Sequence, residues 1–333
     1  MVKPLRRVKI AGLSTYVPPR LLTNADLETM VDTTDEWILQ RTGIRQRHIV
    51  DPGVATSDLA KEAALGAMRQ AGVTAADIGF IVVGTTTPDT MFPSTACLLQ
   101  HKLGAHNTWG FDLGAACSGF TYALTTAKQM VASGACDRAL AVGADVMSSI
   151  IDYTDRATCV LFGDGAGAVV LAPADDDEPA IIDFAHEIDG SGGPALCMPA
   201  GGSRMPASAE TVEKRLHYVK QDGSTVFKFA VRKTEEICRR ILERNHFDPS
   251  DVDLFVSHQA NRRIITAAAD RLGLPDSKVI INLEMYGNTT AATIPIALSD
   301  AVTQGRVKKG DLVLLASVGA GFTVGAVLLR WSL

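Results

Sequence analysis

The chain has no surplus of positive charge, no long apolar run and no paired cysteines, and each lack removes a class of function. Thirty-two Lys and Arg against 37 Asp and Glu give a net charge of −5 and a pI near 5.8, so there is no basic field to draw in nucleic acid. No apolar run approaches the roughly 18 residues that suggest a membrane span. The start, Met1 to Ile10, carries Lys3, Arg6, Arg7 and Lys9 but no continuous apolar segment of the signal-peptide kind, so a cytoplasmic location is the expectation. Six scattered cysteines show no CxxC spacing. Neither a structural zinc site nor a disulfide framework is indicated, and reduced thiols are expected.

What the chain does contain is a 47% hydrophobic composition over 333 residues, enough for one large layered unit or two domains. Asp77 to Gly84 and Arg138 to Gly143 read as buried strands, whereas Ser57 to Ala71 and Gly119 to Ser133 carry helical spacing. The alternation predicts an α/β fold. An internal echo accompanies it: Asp77-Ile78-Gly79-Phe80-Ile81-Val82-Val83 resembles Asp251-Val252-Asp253-Leu254-Phe255-Val256-Ser257, a shift of 174 residues. The strand after Asp137 resembles the strand after Asp311 at the same shift of 174. Gly163 to Leu171 matches Gly319 to Leu328 more loosely and at another offset. A duplicated α/β unit follows, its halves 1–175 and 176–333 meeting where Ala172 to Pro179 breaks the pattern. The Gly-, Pro- and Ser-rich stretch 190–208 is expected to be an irregular insertion.

The most telling segment is Asp112-Leu113-Gly114-Ala115-Ala116-Cys117-Ser118-Gly119-Phe120, which delivers one cysteine to the start of a helix. Orphan N–H groups and the positive end of the helix dipole favour the thiolate there, making Cys117 a candidate nucleophile. Shifted by 174, Cys117 falls opposite Ala291, at the helix start that follows Gly287-Asn288-Thr289-Thr290. Two helix starts facing each other would bring Asn288 near the thiol. The second strand echo ends at Ser257-His258-Gln259-Ala260-Asn261, placing His258 at the carboxyl edge of a strand, where α/β sheets gather ligands. A Cys, a His and an Asn from distant segments are expected in one site.

Cys117 within Ala-Ala-Cys-Ser-Gly-Phe, His258 within His-Gln-Ala-Asn and Asn288 within Gly-Asn-Thr-Thr-Ala-Ala resemble the triad of the β-ketoacyl-acyl-carrier-protein synthase III family. Thr23 to Glu28, Asp35 to Trp37, Arg41 to Arg45, Phe162 to Gly167 and Gly321 to Thr323 stand in that family's order. The resemblance spans nearly the whole chain. It implies a thiolase-like fold of five layers, α-β-α-β-α, built from two duplicated halves and working as a homodimer. It also implies a decarboxylative Claisen condensation: Cys117 takes an acyl group from acyl-CoA, and malonyl-acyl carrier protein then loses carbon dioxide to give the attacking enolate. His258 Nε2 and the Asn288 amide would donate to that enolate, while the backbone N–H groups of Cys117 and Ala320 would form the oxyanion hole. The family often has glycine where Ala320 stands; a main-chain donor tolerates alanine if φ stays negative.

By the same resemblance Trp37 stacks on the adenine of CoA with Arg156 on its other side, and Arg41 meets the phosphates. Asn261 and Ala260 would contact the pantetheine, with Gly223 and Phe227 lining the channel beside Gln221. Phe92 would close the acyl pocket of a partner subunit, and its bulk suits a short primer such as acetyl. Lys228 and Arg263 are the candidates for docking the acidic carrier protein. No metal or redox cofactor is implied.

Taken one at a time these residues have plainer readings. A cysteine among alanines is a small buried hydrophobe, a lone histidine a satisfied core or surface residue, and Asn after Gly a turn residue. Cys97, Cys136, Cys159, Cys197 and Cys238 are read as packing residues. Gly163 to Gly167 looks like a nucleotide loop but precedes a strand, so it is read as a tight turn supporting the site. The intact triad speaks against a non-catalytic homologue, the lack of a cysteine after Cys238 against a thiolase, and Asn288 against chain-elongating synthases. Initiation of fatty acid synthesis is the leading expectation; a related acyltransferase or condensing enzyme of secondary metabolism stays open, because both retain the triad.

Overall fold

The computed structural model describes residues 4–333. Two sheets carry the fold. The first contains β1 (Val8–Tyr16), β2 (Phe80–Gly84), β3 (Trp109–Leu113), β4 (Ala139–Asp145) and β5 (Gly165–Pro173), in the order β1-β5-β4-β2-β3. The second contains β6 (Ile181–Ile188), β7 (Leu254–Ser257), β8 (Leu312–Gly319) and β9 (Thr323–Arg330), in the order β6-β9-β8-β7. In the first, three parallel strands (β3, β2 and β4) continue into β5 and β1 through antiparallel pairings; in the second, the parallel pair β7 and β8 continues into β9 and β6 in the same way.

The duplication extends to register. Phe80 pairs with Ala139 on β2 and β4, and Leu254 pairs with Val313 on β7 and β8, so one shift of 174 moves both members of the pair. These strands read as unbroken apolar runs because helices cover both faces of each sheet. Phe80 and Val82 point into the central core while Ile81 and Val83 point into an outer one. In the second sheet Leu254 and Val256 join the central core and Phe255 the opposite outer core.

The helices that form the layers and the cavity are α1 (Asp35–Thr42), α2 (Thr56–Ala71), α3 (Thr95–Leu103), α4 (Gly119–Ser133), α5 (Gly223–Arg244), α6 (Arg262–Leu272) and α7 (Thr293–Thr303). Between the sheets lie α4 and α7, with α2 and α3 outside the first sheet and α5 and α6 outside the second. The protein therefore has the five-layered, duplicated thiolase-like architecture. Among the described residues no helix is long and apolar enough to cross a membrane.

Small residues let the central helices begin where the strands end. A Cβ on Gly84 would come within 2.5 Å of the Gly119 carbonyl carbon, and one on Gly143 within 2.4 Å of Ala291 O. Each central helix is entered through one 3-10 turn, Ala116–Ser118 before α4 and Thr290–Ala292 before α7. Ala116 at φ 47° and Thr290 at φ 50° hold the left-handed conformation, again 174 residues apart. Neither residue type favours it, and such strain costs about 1–3 kcal/mol per residue. Residues 190–208 contain a 3-10 turn, Gly190–Ala195, and a two-residue strand, Leu196–Cys197, paired with Lys220–Gln221; the rest is irregular.

Candidate active site

Cys117, His258 and Asn288 converge. All three are more than nine-tenths buried, and all line one cavity of about 330 Å3 open to the surface between α1, α5 and α6. Cys117 sits in the turn that opens α4, His258 follows the last residue of β7, and Asn288 precedes the turn that opens α7.

Local bonds fix each side chain. Asn288 is held at both backbone ends, its N–H donating to Leu161 O at 2.9 Å and its O accepting from Gly163 N at 3.0 Å. Its Oδ1 accepts from Thr290 N at 2.9 Å, which leaves the amide N–H groups for the cavity. His258 Nδ1 lies 2.7 Å from Thr293 Oγ1, itself 3.0 Å from Thr290 O. The hydroxyl has one proton and two acceptors in reach. Given to Thr290 O, it leaves Oγ1 to accept from a protonated Nδ1; given to Nδ1, it leaves the imidazole proton on Nε2, the tautomer that a donor role toward the cavity requires. Burial drives the His258 pKa down to about 3, so the imidazole is neutral at physiological pH.

The thiol departs from the sequence expectation. Burial, helped by the nearby Asp145 carboxylate, pushes Cys117 up to about 12, while its own N–H and the Asn288 amide act the other way. The helix start is present, yet desolvation outweighs it, and the resting group is a thiol rather than the favoured thiolate. Beside it runs Gly319, so close that a Cβ there would stand 2.8 Å from both Cys117 N and Ala115 O. Ala320 follows in the turn between β8 and β9. It is absent from the non-glycine residues of positive φ, Ala116, Arg215, His246 and Thr290, so the requirement for a negative φ is met among the described residues.

Comparison with known proteins settles the family. The family model for 3-oxoacyl-[acyl-carrier-protein] synthase III matches residues 111–190, and the model for its C-terminal part matches residues 242–331. A β-ketoacyl-[acyl-carrier-protein] synthase III of Solibacter usitatus is 60% identical over 328 residues, covering 98% of this chain and 99% of the relative. The chain belongs to the β-ketoacyl-acyl-carrier-protein synthase III family. The solved synthase III of Aquifex aeolicus superposes with a TM-score of 0.90 at 44% identity, covering 97% of this chain and all of that one. The priming β-ketosynthase of the R1128 polyketide pathway gives 0.91 at 36% identity, covering 100% of this chain and 99% of that one.

In this synthase III chain the cavity wall also holds Trp37, Arg41, Gln221, Gly223, Phe227, Ala260 and Asn261. Two expected contacts look different in the structure. Arg156 lies directly on Trp37, its guanidinium carbon 4.1 Å from the ring, with Arg41 at 5.9 Å. An adenine between Trp37 and Arg156 needs a further separation of roughly 3.5 Å, so Arg156 must swing outward to admit one. Asn261 is already engaged: Nδ2 donates to Arg41 O at 2.9 Å and Oδ1 caps α6 through Arg263 N at 2.9 Å. It braces α1 against α6.

Phe92 lies outside the cavity of its own chain and is 83% exposed. Lys228 and Arg263 are exposed near the mouth, with Arg263 over the Phe227 ring at 5.5 Å. Cys159 and Cys238 are buried and Cys136 and Cys197 half-buried, as packing residues; Cys97 is not. It is exposed on the outward side of the first turn of α3, whose Thr95 and Ala96 are buried, and its N–H donates to Ser94 Oγ. The tight turn expected over Gly163 to Gly167 is not what the chain forms: Gly165 to Gly167 are the first residues of β5, paired with β4. Only Gly163 and Asp164 lie in the connection before it, where Asp164 accepts from Val50 N and from the N–H and hydroxyl of Ser148. Sequence reasoning missed Thr293, Gly319 and Asp145. The only sequence signal for them is the shift of 174, which sets Asp145 opposite Gly319.

Proposed function

We propose that this protein initiates fatty acid synthesis by joining a short acyl-CoA, acetyl-CoA being the best fit, to malonyl-acyl carrier protein. The observation that carries this reading is the shared cavity of Cys117, His258 and Asn288, reached past Trp37 and Arg41. In the first half-reaction Cys117 Sγ attacks the thioester carbon of acyl-CoA, the C–S bond to CoA breaks, and the cysteine proton goes to the departing CoA sulfur. Cys117 N–H and Ala320 N–H receive the carbonyl oxygen while it bears charge. The α4 start and the Cys117 N–H stabilise negative charge on sulfur as the proton leaves.

In the second half-reaction malonyl-carrier protein loses carbon dioxide, and the electron pair of the broken C–C bond becomes an enolate. Neutral His258, through Nε2–H, and the Asn288 amide donate to the enolate oxygen; a neutral imidazole is a suitable donor to such an oxyanion. The enolate carbon attacks the Cys117 thioester, expels the thiolate and yields 3-oxoacyl-carrier protein; one proton restores the thiol. Every step is acyl substitution or decarboxylation, so the sequence of bonds closes without a metal or redox cofactor.

The exposed Lys228 and Arg263 beside the mouth support docking of an acidic carrier protein. A homodimer is supported by β3, an edge strand bearing half-exposed Trp109 and Phe111, and by the projecting Met91 and Phe92. Phe92 then closes the partner's acyl pocket and limits the primer to a short chain. The same reading places the enzyme in the cytoplasm and divides the chain at 175/176, between Pro173 of β5 and Ile181 of β6; Met1 to Lys3 lie outside the described residues.

The test is intact-mass analysis with a panel of acyl-CoAs, followed by malonyl-carrier protein. One short acyl group should appear on Cys117 and vanish as 3-oxoacyl-carrier protein forms. The likeness to the R1128 priming enzyme favours one second reading, priming in secondary metabolism. Preference for a longer or unusual primer would support it, and no adduct with any acyl-CoA would defeat both.

A further inference from the structure

Asp145, the last residue of β4, is fully buried, and beyond the influence of its charge on the Cys117 thiol it has no role in the steps above. Its Oδ1 accepts from the loop after β2: Thr85 Oγ1 at 3.0 Å, Thr86 N at 2.7 Å and Oγ1 at 3.0 Å, and Thr87 N at 3.2 Å and Oγ1 at 3.0 Å. Its Oδ2 reaches across to the other half, accepting from Thr290 Oγ1 and from Ala291 N at 3.1 Å. One carboxylate thus ties a strand-end loop of the first half to the helix-opening turn of the second.

The consequence falls on Asn288. Thr290 is left-handed at φ 50°, a conformation that a β-branched residue adopts only under constraint. The Asp145 bonds to its hydroxyl and to the next N–H supply that constraint. Held this way, Thr290 points its own N–H at Asn288 Oδ1, 2.9 Å away. That bond decides which end of the amide faces the cavity: oxygen bound inward, donor N–H outward. Rotated by half a turn, the amide would present an acceptor to the enolate and repel it.

We infer that Asp145 is a positioning residue for decarboxylation, acting through Thr290 to orient the Asn288 amide as a donor. The inference rests on the assignment of Asn288 to the enolate. It differs from a general packing role because Asp145 does not touch the cavity and makes its contacts with the second half at the turn that follows Asn288.

The test uses the full-length enzyme and measures the two half-reactions separately, acyl transfer from acyl-CoA to Cys117 and carbon dioxide release from malonyl-carrier protein. Asp145→Asn keeps the shape and replaces one oxygen with a donor. Thr290→Val keeps Asp145 and its bonds to Thr85, Thr86 and Thr87, and serves if Asp145→Asn does not fold. In either variant, carbon dioxide release should fall about a hundredfold, the scale of a misplaced reacting group. Acyl transfer should stay within about threefold of the parent in Thr290→Val, and should not fall in Asp145→Asn, where loss of the carboxylate charge eases ionisation of Cys117. Thr290→Ser, which restores the hydroxyl, should return carbon dioxide release to near the parent rate. Selective 15N labelling of asparagine should show the Asn288 side-chain resonance displaced in Thr290→Val and restored in Thr290→Ser.

Equal losses in both half-reactions, or undiminished carbon dioxide release in Thr290→Val, would overturn the positioning role. Asn288→Ala separates this from failure of the underlying assignment. If Asn288→Ala loses carbon dioxide release and Thr290→Val does not, Asp145 has no such role; if Asn288→Ala retains it, the enolate assignment itself falls.

Discussion

The two turns that open the central helices have the same backbone and opposite duties. Ala116 and Thr290 are both left-handed, each is the first residue of a 3-10 turn, and each turn feeds a helix between the sheets. Their side chains and neighbours have diverged. Where the first turn has Cys117 the second has Ala291, and where the second faces the carboxylate of Asp145 the first faces Gly319. Asp145 accepts from Ala291 N, the counterpart of Cys117 N. A carboxylate at position 319 would by the same geometry sit on Cys117 N, the N–H assigned to the oxyanion hole. One half keeps an open donor beside a nucleophile; the other closes that donor and uses the turn to aim an amide.

The largest expected effect comes from removing what only the first turn has. Cys117→Ser should show no acyl adduct by intact mass and lose at least about 10^4-fold in condensation. Next is Gly319→Ala, which makes the first turn more like the second by placing a methyl 2.8 Å from Cys117 N. Acyl transfer should fall by about 10^2 to 10^3, the cost of an oxyanion donor. Asn288→Ala or His258→Ala should lower carbon dioxide release by a similar factor while sparing acyl transfer, measured by mass and by gas release. Trp37→Ala touches neither turn and sharpens the comparison by contrast. It should raise KM for acyl-CoA about tenfold and leave carbon dioxide release unchanged.

The smallest effect belongs to two buried imidazoles of the second half. Burial lowers His186 to about 4 and His258 to about 3, from an ordinary 6.5. The unfolded chain therefore binds protons that the folded one refuses as pH falls below about 6.5, and stability drops in that range. Thermal unfolding followed from pH 7 to 5 should show Tm decreasing, and His186→Phe should flatten the decrease.

Much of this was legible before any coordinates. Cys117 at a helix start, His258 at a strand end and Asn288 before the matching helix all follow from one shift of 174, because a duplicated fold repeats its local geometry. The state of the thiol was not legible, since helix position is local but burial beside Asp145 is a property of the assembled layers. Nor was the engagement of Asn261, whose two polar groups are taken by α6 and by the Arg41 carbonyl, 220 residues away. Asp145 and Gly319 lay in plain strands. Only the pairing of the halves gives an aspartate and a glycine at equivalent positions their opposite meanings.

The division of labour between the turns is tested most directly by measuring acyl transfer and malonyl decarboxylation side by side in Gly319→Ala and Asn288→Ala. Gly319→Ala should lose acyl transfer and keep carbon dioxide release, and Asn288→Ala should do the reverse. Parallel loss of both activities in both variants would mean that the turns act as one unit and that the assigned roles are wrong.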